Sequence, residues 1–285
     1  MQEQFEGQRP EGLVKIVADS GSTKTAWKVY KSGLLMKSVE TIGFNPYFLN
    51  DRVALDILER EFGEVSDQVS KISFYGAGCG RTAGKIIIKE IFSKVFKNAD
   101  FLIDTDLLGA AKASLGDESG FVCILGTGSV AGLYDGKKIF KTFGGLGYLL
   151  GDEGSGMALG RRLFKAYLEG SMPAHISNLF RQTYDKDGTS MLDELYGADR
   201  PNRYLASFAR FAYANKSDDW IKAQLEKHFS DFFNSVIFSQ IDFTLIDRAA
   251  FVGSIAYFFQ AFIDGYFSSE TDLIFVEKPI SSLLD

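Results

Sequence analysis

Hydrophobic and polar positions change period along the chain, and the changes divide it into elements. Leu13 to Ala18 is a short apolar run ending at Asp19, which predicts a buried strand. The turn Ser20-Gly21-Ser22-Thr23 follows, and Ala26, Trp27, Val29 and Tyr30 then mark a second strand. Ser32-Gly33 turns the chain into a third strand, Leu34 to Ile42. The opening therefore reads as an antiparallel meander whose most distinctive loop is its first turn. Asp51 to Phe62 carries Val53, Ile57, Leu58 and Phe62 at helical spacing. Lys71 to Tyr75 predicts a strand running into Gly76-Ala77-Gly78, and Arg81 to Phe96 a helix. Phe101 to Ile103 predicts a buried strand ending at Asp104-Thr105-Asp106, with a further helix from Leu107 to Leu115. Strands alternating with helices imply a mixed sheet covered by helices.

The opening pattern then returns. Phe121 to Leu125 is an apolar strand, Gly126-Thr127-Gly128-Ser129 a turn, and Val130 to Tyr134 a strand. Asp135-Gly136 signals a hairpin, and Lys137 to Phe143 completes a second meander. Spacings differ between the copies, so the repeat is one of structure. It predicts two related domains, 13–115 and 116–285, after a flexible extension at 1–12. Beyond a glycine-dense stretch (Gly144-Gly145-Leu146-Gly147, then Gly151-Asp152-Glu153-Gly154-Ser155-Gly156) the chain reads as mostly helical. Helices are expected at about 156–170, 203–214 and 219–239, with breaks at Pro173 and Pro201. Ala249 to Val252 predicts a short buried strand, Gly253-Ser254 opens a helix from Ile255 to about Phe267, and Thr271 to Val276 is a last strand.

Composition narrows the class. In 285 residues, 46% are apolar and 24% charged, as in ordinary globular proteins. The net charge of -6 is spread along the chain, so no nucleic-acid or membrane-surface partner is expected. Two cysteines, Cys79 and Cys123, make no disulfide framework, and with a polar N-terminus lacking a signal-peptide core they point to the cytoplasm. His175 and His228 stand in no metal-ligand spacing. No apolar run reaches the length of a membrane span.

Chemistry concentrates in the turns. Gly21 permits backbone angles that let main-chain N–H groups converge, and Ser22 and Thr23 add hydroxyl donors, which suits phosphate oxygens. Asp19 is placed to hold Mg²⁺, and Lys24 could add positive charge. The same residues also suit a plain polar hairpin turn. Gly126-Thr127-Gly128-Ser129 is similar but has no acid, so the pair would grip nucleotide phosphates with a single metal-binding carboxylate. The GxxxxGK[ST] phosphate loop is absent. Asp106, between a strand and a helix, serves equally as the cap of that helix or as the base that a kinase needs near the attacking hydroxyl. Gly76-Ala77-Gly78-Cys79-Gly80 is an incomplete dinucleotide fingerprint and reads as a tight strand-to-helix turn. Phe251, Tyr257, Phe258, Phe259 and Phe262 are expected in the core.

Together these motifs, from residue 13 to the C-terminus, resemble the actin-like ATPase and sugar-kinase superfamily. They are most similar to its N-acetylglucosamine kinase branch, which is related to the activator ATPases of benzoyl-CoA reductase and 2-hydroxyacyl-CoA dehydratases. The resemblance implies an α/β fold of two ribonuclease H-like domains, each a mixed sheet flanked by helices, with an interdomain cleft. It implies ATP and Mg²⁺ as cofactors, a homodimer, and phosphorylation of N-acetylglucosamine to its 6-phosphate. On it, Gly21, Ser22, Thr23, Lys24, Gly126, Thr127 and Gly128 would hold the phosphates, Asp19 the metal, and Gly253-Ser254 the adenosine. Asp106 would be the catalytic base, and the sugar would meet Asn45 of Gly43-Phe44-Asn45-Pro46, Asp106, Ser129, Gly145, Leu146, Gly147 and Asp152. The family commonly places asparagine after the second phosphate motif, and Val130 stands there instead. Two alternatives follow: an activator-type ATPase, which needs exposed cysteine ligands for a shared cluster, and a sugar or nucleotide sensor, to which Val130 is the pointer.

Overall fold

A computed structural model of the chain describes residues 13–237, 239–242, 246–281 and Leu283; the expected extension 1–12 lies outside the described residues. The elements fall into two compact units. The first comprises the described residues up to Gly109 and from Ile280 on, and the second runs from Ala110 to Pro279.

The first unit opens with the predicted meander, β1 (Val14–Ser20), β2 (Lys24–Lys31) and β3 (Leu34–Ile42). Helix α1 (Asp51–Phe62) then leads to β4 (Val69–Gly76), α2 (Thr82–Val95) and β5 (Asp100–Asp104). The sheet order is β3-β2-β1-β4-β5, antiparallel through the meander and parallel from β1 to β4 to β5. A near-continuous apolar β1 is what a strand covered on both faces requires, whereas β3 lies at the edge and is mostly exposed. The core is built on Trp27, 0% exposed, with Phe44, Phe62, Phe74 and Phe92 around it at ring separations of 5.2 to 6.1 Å. Its Nε1–H donates to Thr41 Oγ1 at 2.8 Å, so burial leaves no polar atom orphaned there.

Helix α3 (Asp106–Leu115) carries the chain into the second unit. There β6 (Ser119–Leu125), β7 (Ser129–Asp135) and β8 (Ile139–Gly144) form the second meander, joined later by β9 (Arg248–Val252) and β10 (Asp272–Val276). The order β10-β9-β6-β7-β8, antiparallel then parallel, repeats the first sheet strand for strand. Both meanders even shift register at the same place, between Val29 and Tyr30 in one and between Leu133 and Tyr134 in the other. The repeat seen in the meanders thus extends to all five strands.

Between β8 and β9 the second unit inserts helices α4 (Gly156–Leu168), α5 (Ala174–Tyr184), α6 (Gly188–Gly197), α7 (Pro201–Ser207), α8 (Ala209–Ala214) and α9 (Asp219–Phe232). The sequence reading missed α5 and α6. Helix α5 carries Ile176, Leu179, Phe180 and Tyr184 at helical spacing, a signal the reading passed over, whereas α6 buries only Met191; Pro173 and the capping carboxylate of Asp187 mark the two starts. The expected helix at 203–214 is broken at Phe208, and α9 gives way to a π-helical turn, Phe233–Ile237. The helix expected from Ile255 to Phe267 is shorter: α10 (Ser254–Phe258) stops early and two short 3-10 turns follow. Phe251 and Phe259 are core residues as expected, but Tyr257 and Phe258 are about two-fifths exposed, at 39% and 41%.

Helices α4 and α7 cross where Gly160 meets Leu205. A Cβ on Gly160 would stand 1.8 Å from the Leu205 carbonyl oxygen. Helix propensity alone favours Gly160→Ala by about 1 kcal/mol, whereas the forced separation costs roughly 1–3 kcal/mol or more. Packing therefore wins, and urea denaturation of Gly160→Ala is expected to show a net loss of stability. An unchanged or higher midpoint would contradict this crossing.

Candidate active site

In the first unit the β1–β2 turn is closed by the Gly21 N–H donating to Lys24 O at 3.0 Å. Two hydroxyls not singled out in the sequence hold it in place. Ser20 and Thr25 are both 0% exposed, their hydroxyl oxygens are 2.7 Å apart, and the Phe44 N–H donates to each at 3.0 Å. The Thr25 hydroxyl also donates to Ile42 O. This pair ties the turn to the loop after β3. The approach is so close that a Cβ on Gly43 would lie 2.4 Å from Gly21 O. The signal was present in the sequence, since Ser20 and Thr25 pair across the two strands, but nothing separated them from the neighbouring hydroxyls.

Asn45 follows in the same loop and is 7% exposed; its Oδ1 accepts the Tyr47 N–H at 3.1 Å. That oxygen also lies against Gly78, where a Cβ would come within 2.8 Å, so the glycine run after β4 is a packed turn. Lys24 is exposed and forms an ion pair with Glu40 on β3.

Helix α3 begins at Asp106 itself, not at Leu107. The capping acceptor is Thr105, whose Oγ1 takes the Leu108 N–H at 3.1 Å, while Asp106 Oδ1 takes the Leu107 N–H at 2.9 Å. Asp106 is thereby oriented through its Oδ1. Asp104 instead pairs with Lys85 at 3.1 Å. Asp106 is half-buried, and burial pushes its carboxyl up to about 6 against the pull of backbone N–H donors. Asp19 is pushed up to about 7, first by burial and then by the nearby Asp106 charge. Asp19 and Asp106 therefore share one neighbourhood in this unit.

Among the described residues no group of three or more His, Cys, Asp or Glu side chains could cage a metal. The donor set still suits Mg²⁺, which commonly takes one or two carboxylates and fills its octahedron with water and phosphate oxygens. Two neighbouring carboxylates whose ionisation is made costly, chiefly by burial, are a place where a divalent cation would be favoured.

The second unit gathers its own residues. Gly126 N–H donates to Gly128 O at 3.0 Å, and the first N–H groups of α4, from Gly156 and Met157, donate to Gly126 O and Thr127 O at 2.8 and 3.2 Å. Ser155 caps the same helix. Ser129 N–H donates to Asp152 Oδ1 at 3.3 Å, and its hydroxyl to Glu153 O at 2.6 Å. Asp152 is 8% exposed with φ 63°, a left-handed conformation that costs a non-glycine residue on the order of 1 kcal/mol. Its carboxyl is raised, chiefly by burial. Gly145 packs on Val130, where a Cβ would meet Val130 Cγ2 at 3.0 Å. Leu146 is 67% exposed beside it, and Gly147 has φ 80°. Gly253, at φ 104°, sits under the same turn: a Cβ there would lie 2.7 Å from Leu125 O, and Ser254 starts α10. The structure thus brings together Gly126–Ser129, Val130, Gly145, Asp152 and Gly253.

Cys79 and Cys123 are each 0% exposed. Burial and the Asp106 charge push the Cys79 thiol up to about 12, and burial raises Cys123 well above the usual thiol range. Neither is an accessible thiolate of the kind that an activator-type cluster needs.

No protein-family profile matches the sequence. The chain is 27% identical over 161 residues to the N-acetylmuramic acid/N-acetylglucosamine kinase of Clostridium acetobutylicum, 53% of this chain and 52% of that protein. That match spans about half the length of the relative. A crystal structure from Porphyromonas gingivalis, of a candidate N-acetylglucosamine kinase, superposes with a TM-score of 0.84 at 30% identity, over 94% of this chain and 96% of that one. A second candidate N-acetylglucosamine kinase, from Chromobacterium violaceum, shares the fold at a TM-score of 0.68 and 20% identity, over 92% and 94% of the two chains. No helix among the described residues is long and apolar enough to cross a membrane. Similarity over nearly the full length of the Porphyromonas protein, in a fold of two duplicated five-stranded sheets, places this chain in the N-acetylglucosamine kinase family of the actin-like ATPase and sugar-kinase superfamily.

Proposed function

We propose that the chain transfers a phosphoryl group from ATP to an amino sugar, with N-acetylglucosamine to its 6-phosphate as the first candidate reaction. The observation that carries this reading is the paired environment of Asp19 and Asp106. One acid ends the strand before a hydroxyl-rich turn, and the other begins a helix with one oxygen already engaged. Asp106, raised to about 6, is matched to general-base work near neutral pH. It accepts the proton of the sugar hydroxyl as that oxygen attacks the terminal phosphorus. Asp19 would hold Mg²⁺, which when bound offsets phosphate charge.

The remaining roles come from the family. Gly21, Ser22, Thr23, Lys24, Gly126, Thr127 and Gly128 are proposed for phosphate, Gly253 and Ser254 for adenosine, and Asn45, Ser129, Gly145, Leu146, Gly147 and Asp152 for the sugar. Lys24 must leave Glu40 to take part, and as an exposed pair that exchange is cheap. A cytoplasmic homodimer is the working form that the family suggests.

A coupled ADP-release screen over amino sugars and hexoses tests the reading directly. ADP formation with N-acetylglucosamine is expected, and none with any sugar would sink it. Asp106→Asn should lower kcat by roughly 10²–10⁴-fold with little change in the sugar KM. Because the base works only when ionised, wild-type kcat/KM should fall as pH drops below about 6.

The same two acids set a stability signature. Each has its folded pKa raised above the ordinary 3.8. Their contribution to stability is therefore full below about 4 and is lost as pH rises through about 6 and 7. In EDTA at pH 7.5, Asp19→Asn and Asp106→Asn should each melt higher than wild type, with the gap closing at pH 4. Lower melting of both variants at pH 7.5 would contradict the burial of these charges.

A further inference from the structure

The second unit carries a groove that the reading above does not use. It lies between α4 and α9, with a volume of about 560 Å³, within the size range of small-molecule sites. Ala158 and Ala166 leave it open on the α4 side, Arg161 and Lys165 line that wall one helical turn apart, and His228 of α9 lies deepest. Glu153 and Gly154 form the head of the groove, next to Asp152.

His228 is 3% exposed. The Gly154 carbonyl accepts a hydrogen bond from its ring, and Nε2 has no partner among the described residues, which assigns the donating nitrogen as Nδ1. That bond fixes the tautomer: the proton is on Nδ1 and Nε2 is a bare acceptor. Burial pushes the imidazole down to about 4, which keeps it neutral. A buried acceptor without a donor is unfavourable, and an O–H group would relieve it. The charges on the walls are unevenly committed. Arg162 is paired with Asp231, which also meets Lys227 at 3.3 Å. Lys165 meets Glu169 at 3.5 Å on an exposed helix surface, where such a pair is worth little and can be exchanged. Arg161, whose charge also acts on Asp152, and Lys165 can together clamp a phosphate while the groove floor takes a hydroxyl.

We propose that this groove binds a sugar phosphate, the chemical class of the product in the kinase reading on which this inference rests, as a regulatory ligand. The His228–Gly154 bond supplies the coupling. A hydroxyl donated to Nε2 polarises the ring and strengthens Nδ1–H as a donor to Gly154. Gly154 lies two residues from Asp152, so occupancy of the groove acts on the segment proposed to hold the acceptor sugar.

The test is calorimetric titration of the full chain with N-acetylglucosamine 6-phosphate, glucose 6-phosphate or inorganic phosphate. Saturating ADP and N-acetylglucosamine fill the proposed active site. Wild type is expected to bind one or both sugar phosphates more tightly than inorganic phosphate. Lys165→Glu and His228→Asn should each weaken sugar-phosphate binding by at least ~10-fold while leaving N-acetylglucosamine binding unchanged. An asparagine amide can keep the Nδ1-type donor to Gly154 but has no atom at the Nε2 position. No binding to wild type, equal binding of inorganic phosphate, or unaltered binding in both variants would overturn the proposal. Should His228→Asn fail to fold, Lys165→Glu on the exposed wall decides alone. ADP release is measured separately: turnover without groove binding defeats only this inference, and groove binding without turnover defeats only the kinase reading.

Discussion

Burial of two neighbouring carboxylates is the constraint on which the candidate site of the first unit depends. Asp19 and Asp106 sit close enough that the charge of one raises the other, and both lie where ionisation is costly. A chain selected only for stability would replace one of them. Here the surroundings fix them instead. Thr105 takes over the capping of α3 so that Asp106 can sit at its first turn, and Asp106 spends one oxygen on the Leu107 N–H. Ser20 and Thr25 lock the end of β1 to the loop at Phe44. Buried, perturbed acids of this kind cluster at functional sites, and that is why the proposed function is built on this pair.

The duplicated sheets show how one scaffold takes two tasks. Strand order, direction and the register shift agree between the units. The first turn is braced by the Ser20 and Thr25 hydroxyls and follows directly on the half-buried Asp19. The second has no acid of its own and is braced by the α4 N–H groups, while Asp152 reaches in from a distant loop to accept from Ser129. That the α4 amides are spent on Gly126 and Thr127 matters, because a helix start is otherwise a ready anion site. In this unit the helix N–H groups are used to support the turn.

Most of the strands were legible because their signals are local. Apolar runs bounded by glycine and hydroxyl turns gave both meanders, and the repetition of that pattern gave the duplication. What the sequence hid was decided by tertiary packing. Helix α6 buries only Met191, so little announces it, whereas the stripe of α5 (Ile176, Leu179, Phe180, Tyr184) was there to be read. The aromatic run after Gly253 offers apolar residues at almost every position, so its short helix and 3-10 turns could not be told from one long helix. Asp106 and Thr105 were adjacent candidates for one cap, and only the hydrogen bonds separate their roles. His228 looked like a lone histidine. Its meaning depends on Gly154, 74 positions away in the chain and adjacent in space.

Val130 is where local and tertiary information meet. Read along the sequence, it is a departure that removes a polar side chain beside the second turn. In the structure it packs on Gly145, which must be glycine both for its φ of 68° and for this contact. The valine therefore shapes the backbone of the Gly145-Leu146-Gly147 segment as well as withholding a hydrogen bond. Asp152, across the same turn, keeps its buried carboxylate in a left-handed conformation at a cost that glycine would avoid. A position that retains a strained, desolvated acid while its neighbour turns apolar has concentrated its polar recognition in one group. On the kinase reading proposed above, a sugar meeting this turn would find one buried carboxylate, Asp152, and a backbone shaped by Val130.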